Sequence, residues 1–221
     1  RLDNVHFPTS RLIVLENTHN LCNGSPIPLP YLNRVATIAA DNGLKLHVDG
    51  ARIFNAALAL SVSPAELAAP ADSVSFCLSK GLAAPVGSVV CGSSNFIAKA
   101  RRMRKVLGGG MRQAGIIAAA GIVALEQMVE RLAGDHDNAR RLAEGLADLK
   151  GLSLGGLEKV RTNIIYMDLT SDLPSTETAQ KLEKAGVRVN PSGPHRLRAV
   201  THHGITAEDV DTAVAVFRKI F

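Results

Sequence analysis

Leu44-Lys45-Leu46-His47-Val48-Asp49-Gly50-Ala51-Arg52 and Ser73-Val74-Ser75-Phe76-Cys77-Leu78-Ser79-Lys80-Gly81 decide the fold. In each, a short apolar run gives way to a charged side chain. Residues 44–48 and 74–78 read as strands, as do residues 12–15 and 86–91. All four runs are four to six residues long and apolar on both faces, the pattern of strands buried in a parallel sheet. Between the first two, residues 31–42 fit a helix entered after Pro30 and stopped by Asn42-Gly43. Strands alternating with helices predict an α/β domain with a mostly parallel sheet.

Downstream the pattern changes. Residues 111–131 read as one long Ala-rich helix leaving Gly108-Gly109-Gly110. Residues 135–149 carry Ala139, Leu142, Leu146 and Leu149 on one helical face, ending near Gly151. A strand (163–169), a helix (175–185), two short strands (187–190 and 196–200) and a last helix with Val210, Ala213, Val214 and Phe217 on one face follow. The expectation is a larger domain over residues 1–130 and a small α+β domain over 131–221.

The 221 residues are 46% hydrophobic and 20% charged, which excludes a disordered or fibrous chain. Cys22, Cys77 and Cys91 have no CxxC spacing and are too few for a disulfide scaffold, so a reducing, cytoplasmic setting is expected. The longest apolar stretch, residues 114–125, falls short of the ~20 residues of a membrane span. Much of the net charge of +5 sits in Lys99, Arg101, Arg102, Arg104 and Lys105. Those residues fit a solvated helix face or a site for one small anion. A nucleic-acid surface is the third reading, but interleaved aromatics and recognition-motif spacings are missing, so no nucleic-acid partner is expected.

Asp49 leaves the carboxyl end of a buried strand, where ligands bind in open α/β sheets. Asp49-Gly50 is also a common turn dipeptide. His47 and Asp49 are two possible metal ligands without a third or fourth, so no metal site is expected. Lys80 follows directly on the next strand. A partly desolvated lysine there forms a Schiff base with a carbonyl compound, whereas the alternative is a side chain that snorkels to solvent. Together, Asp49 and Lys80 match the pyridinium partner and Schiff-base lysine of a pyridoxal phosphate site.

With these residues in view, the chain resembles the threonine aldolase family. The resemblance is carried by His47-Val48-Asp49-Gly50-Ala51-Arg52-Ile53-Phe54-Asn55-Ala56, Ser75-Phe76-Cys77-Leu78-Ser79-Lys80-Gly81-Leu82 and Pro85-Val86-Gly87-Ser88. Glu16-Asn17-Thr18-His19-Asn20, Gly108-Gly109-Gly110-Met111-Arg112-Gln113 and Arg198-Ala199-Val200-Thr201-His202 extend it from about residue 3 to the C-terminus. It implies the fold-type I architecture of pyridoxal 5'-phosphate enzymes and a homo-oligomer, dimer or tetramer, with sites shared between subunits. It also implies cleavage of threonine or allo-threonine to glycine and acetaldehyde, with roles in glycine biosynthesis and threonine catabolism. Lys80 corresponds to the Schiff-base lysine and Asp49 to the carboxylate on the pyridine nitrogen. Arg52 matches the arginine beside the cofactor's phenolic oxygen and the substrate, and Arg198 the arginine that grips the substrate carboxylate. Arg112, supported by Lys105, resembles a residue reaching the cofactor phosphate of a neighbouring subunit. His6 resembles a histidine near the substrate hydroxyl and His19 lines the same cleft, while His202 and His203 read as structural.

The same resemblance implies a segment ahead of Arg1, with a histidine stacked on the cofactor ring and a Gly-Thr loop at a helix N-terminus for the phosphate. The chain is therefore expected to be a processed chain or a fragment, with sheet edges and apolar faces uncovered. The alternative expectation is a truncated product that does not bind the cofactor productively.

Overall fold

Parallel strand pairing organises the first half of the molecule. The computed structural model describes residues 4–170 and 172–221. Strands β1 (Leu12–Glu16), β2 (Lys45–Asp49), β3 (Ser73–Cys77) and β4 (Ser88–Gly92) lie side by side in that order. The first two pairings are parallel and the third is antiparallel. Helix α1 (Leu29–Asp41) connects β1 to β2, and α2 (Ile53–Leu60) and α3 (Pro64–Ala68) connect β2 to β3. Proline in the first turn starts α1 without loss of an internal hydrogen bond, and Asn42 with Gly43 at φ +64° stops it. A reciprocal Ser63–Glu66 capping box opens α3.

Alternation along these strands sorts the sheet into two different faces. Val48 and Val74, with partly buried Leu15 and Phe76, pack on Leu32, Ile53, Ala56, Ala57 and Leu67 of the helices. The opposite face carries Val14, His47, Asp49, Ser73 and Ser75, and Val14 is 56% exposed. One face is thus apolar and packed, and the other is polar and only partly buried, which corrects the expectation of strands apolar and buried on both faces. β4 is also a correction. It begins at Ser88 and runs antiparallel, because the ten-residue turn from β3 holds no helix to carry a parallel crossover.

Helices α4 (Ser94–Val106), α5 (Gly115–Gln127) and α6 (Leu132–Leu146) follow. The single helix expected over 111–131 is only α5. The three glycines, with their high backbone entropy, keep the chain non-helical to Ala114, and a turn at Met128–Arg131 breaks it again before α6. The expected helix over 135–149 begins three residues early, because Leu132 is fully buried against the turn after β3.

The second sheet is antiparallel throughout. Its order is β5 (Leu152–Ser153), β6 (Ile164–Leu169), β8 (Arg196–Val200), β7 (Asn190–Pro191). One face packs Ile165, Met167, Leu197 and Ala199 against α6, α7 (Ser175–Lys184) and α8 (Ala207–Ile220), where Leu142, Leu146, Leu182 and Phe217 complete the core. β7 is shorter and later than the expected 187–190, since Val187 and Val189 turn into this core instead of pairing. A Thr206–Asp209 capping box starts α8. Among the described residues, no helix is long and apolar enough to cross a membrane.

Several side-chain hydrogen bonds join the two halves. Thr162 Oγ1 donates to the Gly24 carbonyl at 2.9 Å, and a Cβ on Gly24 would come within 2.7 Å of that oxygen. Arg131 of the turn before α6 donates to the Gly81 carbonyl at 3.1 Å. Asn55 on α2 lies 3.0 Å from His136 Nε2 on α6. Burial pushes the His136 imidazole below its ordinary value, against smaller opposing effects of Asp135 and Asp137. A histidine that resists protonation only when folded costs stability as pH falls below its unfolded value of about 6.5, until the folded value is passed. Urea midpoints measured from pH 7.5 to 5 should decline in the parent and decline less in His136→Gln; parallel curves would remove His136 from the joint.

Candidate active site

Parallel pairing in register puts the carboxyl ends of β1, β2 and β3 at one edge of the first sheet. Glu16 pairs with Asp49, and Asp49 with Ser75. Asp49 Oδ1 accepts from the Ala51 amide at 3.1 Å, and its carbonyl accepts from the Asn17 amide at 2.9 Å. These bonds hold the carboxylate at the mouth of the strand. Asn17 is fully buried and braces the same corner, its Oδ1 accepting from the Ile27 amide at 2.9 Å. The His47 ring nitrogens lie 2.8 Å from Ser73 Oγ and 3.3 Å from Ser75 Oγ, so His47 is engaged on the sheet face.

Lys80 stands exposed on the turn that follows β3. That turn bonds back on itself, Ala83 N to Lys80 O at 2.9 Å and Ala84 N to Leu78 O at 3.1 Å. Its neighbour Gly81 is buried, whereas Ser79 is exposed like Lys80.

Two guanidinium groups approach this edge, one from each half of the chain. Arg52 opens α2. Burial first, and then the cation of Arg198, push the Arg52 guanidinium below its ordinary value, while Cys77, Glu16 and Tyr166 act in the opposite direction. Arg198 reaches across from β8 and donates from Nη1 to Asn20 Oδ1 at 3.2 Å. Its Nε is buried without a partner among the described residues, as are His19 Nδ1 and Asn17 Nδ2. His19 Nε2 sits 3.3 Å from Glu16 Oε2. Like charges within electrostatic range and unanswered buried donors are costly unless an anion completes them.

The structure thus brings Asp49, Arg52, His19 and Arg198 to one edge, with Lys80 on the adjoining turn. It does not bring the remaining candidates there. His6 lies in an exposed turn, its amide bonded to Asn4 Oδ1 at 2.9 Å. Arg112 and Lys105 are exposed, and no hydrogen bond or ion pair among the described residues joins them to this group. The basic run of α4 is exposed, although Arg101 and Arg104 border a cavity of about 440 Å³ with Ser88 and Val90. Glu16 and Asn20 also belong to this group although the sequence does not single them out as site residues; their signal is that they flank His19 in the motif at the end of β1.

Chemically, the group offers a carboxylate, a primary amine and paired guanidiniums beside unfilled donors. Such a set suits a ligand with a basic ring nitrogen, a reactive carbonyl and a carboxylate.

A model of the beta-eliminating lyase family matches residues 1–170. Among named relatives, low-specificity L-threonine aldolase 1 of Arabidopsis thaliana is 46% identical over 96% of this chain and 60% of its own length. The low specificity L-threonine aldolase of Escherichia coli strain K12 is 40% identical over 98% of this chain and 62% of its own. The chain therefore spans about three fifths of the length of the curated relatives it matches. A solved Leishmania major threonine aldolase superposes with a TM-score of 0.76 at 18% identity, over 98% of this chain and 63% of that one. That likeness shows the fold.

Because Arg198 crowds another cation, Arg198→Met should change unfolding free energy by less than about 1 kcal/mol in either direction. Added glycine should raise the thermal midpoint of the parent and leave that of Arg198→Met unmoved. Equal shifts in both proteins would exclude Arg198 as the carboxylate-binding group.

Proposed function

The chain belongs to the beta-eliminating lyase family, and from that premise we propose that it cleaves threonine or allo-threonine to glycine and acetaldehyde with pyridoxal 5'-phosphate as cofactor. The observation that carries the proposal is that Arg52 and Arg198 lie within range of each other's charge at the end of the parallel strands, with buried donors left unanswered. The names of the relatives supply the reaction.

When bound, the cofactor supplies a sink for the electron pair released at the substrate Cα. Lys80 is the amine that attaches it. Asp49 keeps a proton on the ring nitrogen, since an adjacent anion favours the charged ring. Arg198 and Arg52 bind the substrate carboxylate, and a fixed carboxylate orients the bond to be broken. His19, backed by Glu16, takes the proton of the β-hydroxyl. As that proton leaves, the Cα–Cβ bond breaks, the two outer carbons depart as acetaldehyde, and Cα regains a proton to give glycine. Arg112, with Lys105, reaches the cofactor phosphate of a neighbouring subunit in a homo-oligomer, dimer or tetramer. A division near residue 130, a cytoplasmic setting, and roles in threonine breakdown and glycine supply belong to the same proposal.

Borohydride reduction of the chain incubated with pyridoxal phosphate tests it. The expected result is a pyridoxyl adduct on Lys80, absent in Lys80→Ala, together with glycine and acetaldehyde from threonine. A folded chain without the adduct would overturn the proposal. Release of 2-oxobutanoate and ammonia in place of glycine would transfer the chain to β-elimination, the chemistry of the family's name.

A further inference from the structure

The turn that carries Lys80 contains a residue in a costly backbone conformation. Ala83 adopts φ +59°, a left-handed conformation that disfavours residues with a Cβ. Lys80 itself has no hydrogen bond from its side chain among the described residues and stands in solvent. Two backbone hydrogen bonds close the turn, Ala83 N to Lys80 O and Ala84 N to Leu78 O, and a further hold comes from outside it, across the joint between the two sheets.

Arg131 is the holder. Its Nη1 donates to Asp135 Oδ1 at 2.8 Å and its Nη2 to Asp135 Oδ2 at 2.7 Å, a two-point fork. The same Nη2 donates to the carbonyl of Gly81, the residue after Lys80, at 3.1 Å. Asp135 is only 2% exposed in its side chain, so the guanidinium has no water to drift into on that side. Thr201, just beyond β8, donates from Oγ1 to the Asp135 carbonyl at 2.6 Å. Leu132 closes the remaining gap, for a Cβ on Gly81 would lie 2.7 Å from Leu132 Cδ2. The turn is therefore pinned at the peptide next to Lys80, by a group that is itself fixed in orientation.

We infer that Arg131, clamped by Asp135, is the positioning residue that sets the Lys80 turn through the Gly81 carbonyl. Its significance for cofactor attachment rests on the reading of Lys80 given above. The same fork links Lys80 to β8, the strand of Arg198, through Asp135 and Thr201. The two groups proposed to hold cofactor and substrate thus share one anchor.

Arg131→Lys separates positioning from bulk stability. Lysine keeps the charge beside Asp135 but is a point donor that does not fork a carboxylate and reach a carbonyl at once. Leu146→Ala, in the buried core of α6, is the control, because it lowers stability without touching the turn. The first readout is amide hydrogen exchange of the cofactor-free chain at Ala83 and Ala84. Exchange there should be roughly tenfold or more faster in Arg131→Lys than in Leu146→Ala, measured at equal distance below each thermal midpoint. The second is the pH midpoint of the absorbance of the Lys80 adduct with pyridoxal phosphate, which should shift in Arg131→Lys and not in Leu146→Ala. If Arg131→Lys does not fold, Asp135→Asn, of nearly the same shape, is read in the same way. Parental exchange at Ala83 and Ala84 in the arginine variant would overturn the inference. A parent that forms no adduct would overturn the cofactor reading alone, because the exchange measurement still decides the tether.

Discussion

A buried ion pair is expensive to assemble, and the fork between Arg131 and Asp135 is the point on which both halves of this protein turn. Each ion loses several kcal/mol of hydration on burial, which the mutual attraction returns only if geometry and further hydrogen bonds are good. Here most of them are. Both carboxylate oxygens are met, the guanidinium spends a third bond on Gly81, and the backbone of Asp135 receives Thr201, while Arg131 Nε alone of the guanidinium nitrogens stays buried without a partner among the described residues. The pair adds little to net stability by such reckoning, but it has one satisfactory arrangement. That arrangement dictates where α6 begins, how the turn after β3 lies and how the end of β8 approaches.

From that anchor the site follows as a consequence of pairing rules. Parallel strands end at the same edge, so Glu16, Asp49 and Ser75 line up without any contact among their side chains being required. The second sheet then delivers Arg198 to an edge that already holds Arg52. Their mutual repulsion and the unsatisfied nitrogens around them are costs to the fold, as is common where a binding site is kept ready for an anion. The face of the first sheet that bears Val14, His47 and Asp49 is open, and the polar face, not the apolar one, carries the chemistry-bearing residues.

Element identity was largely legible. The apolar runs, the Asn42-Gly43 stop and the heptad-like face of α8 describe local preferences that tertiary contacts left intact. Legibility failed where a local signal was incomplete. The run at 86–91 looks like its parallel neighbours, yet the short turn before it forces antiparallel pairing. The Ala-rich stretch at 111–131 has helical propensity throughout, and only the glycines before it and the turn at Arg131 divide it. Val187 and Val189 have strand propensity but are drawn into the core.

What the sequence determined by itself was the alternation of strands and helices and the placement of Asp49 and Lys80 at successive strand ends, because period, composition and strand length act over a few neighbouring residues. Only the tertiary structure decided that Arg52 and Arg198, 146 residues apart in the chain, come within range of each other's charge, and that Asn20 and Arg131 steady the groups around them. Those relations depend on how two sheets pack across a joint, where the energy of a contact is shared between segments that carry no trace of one another in their local pattern.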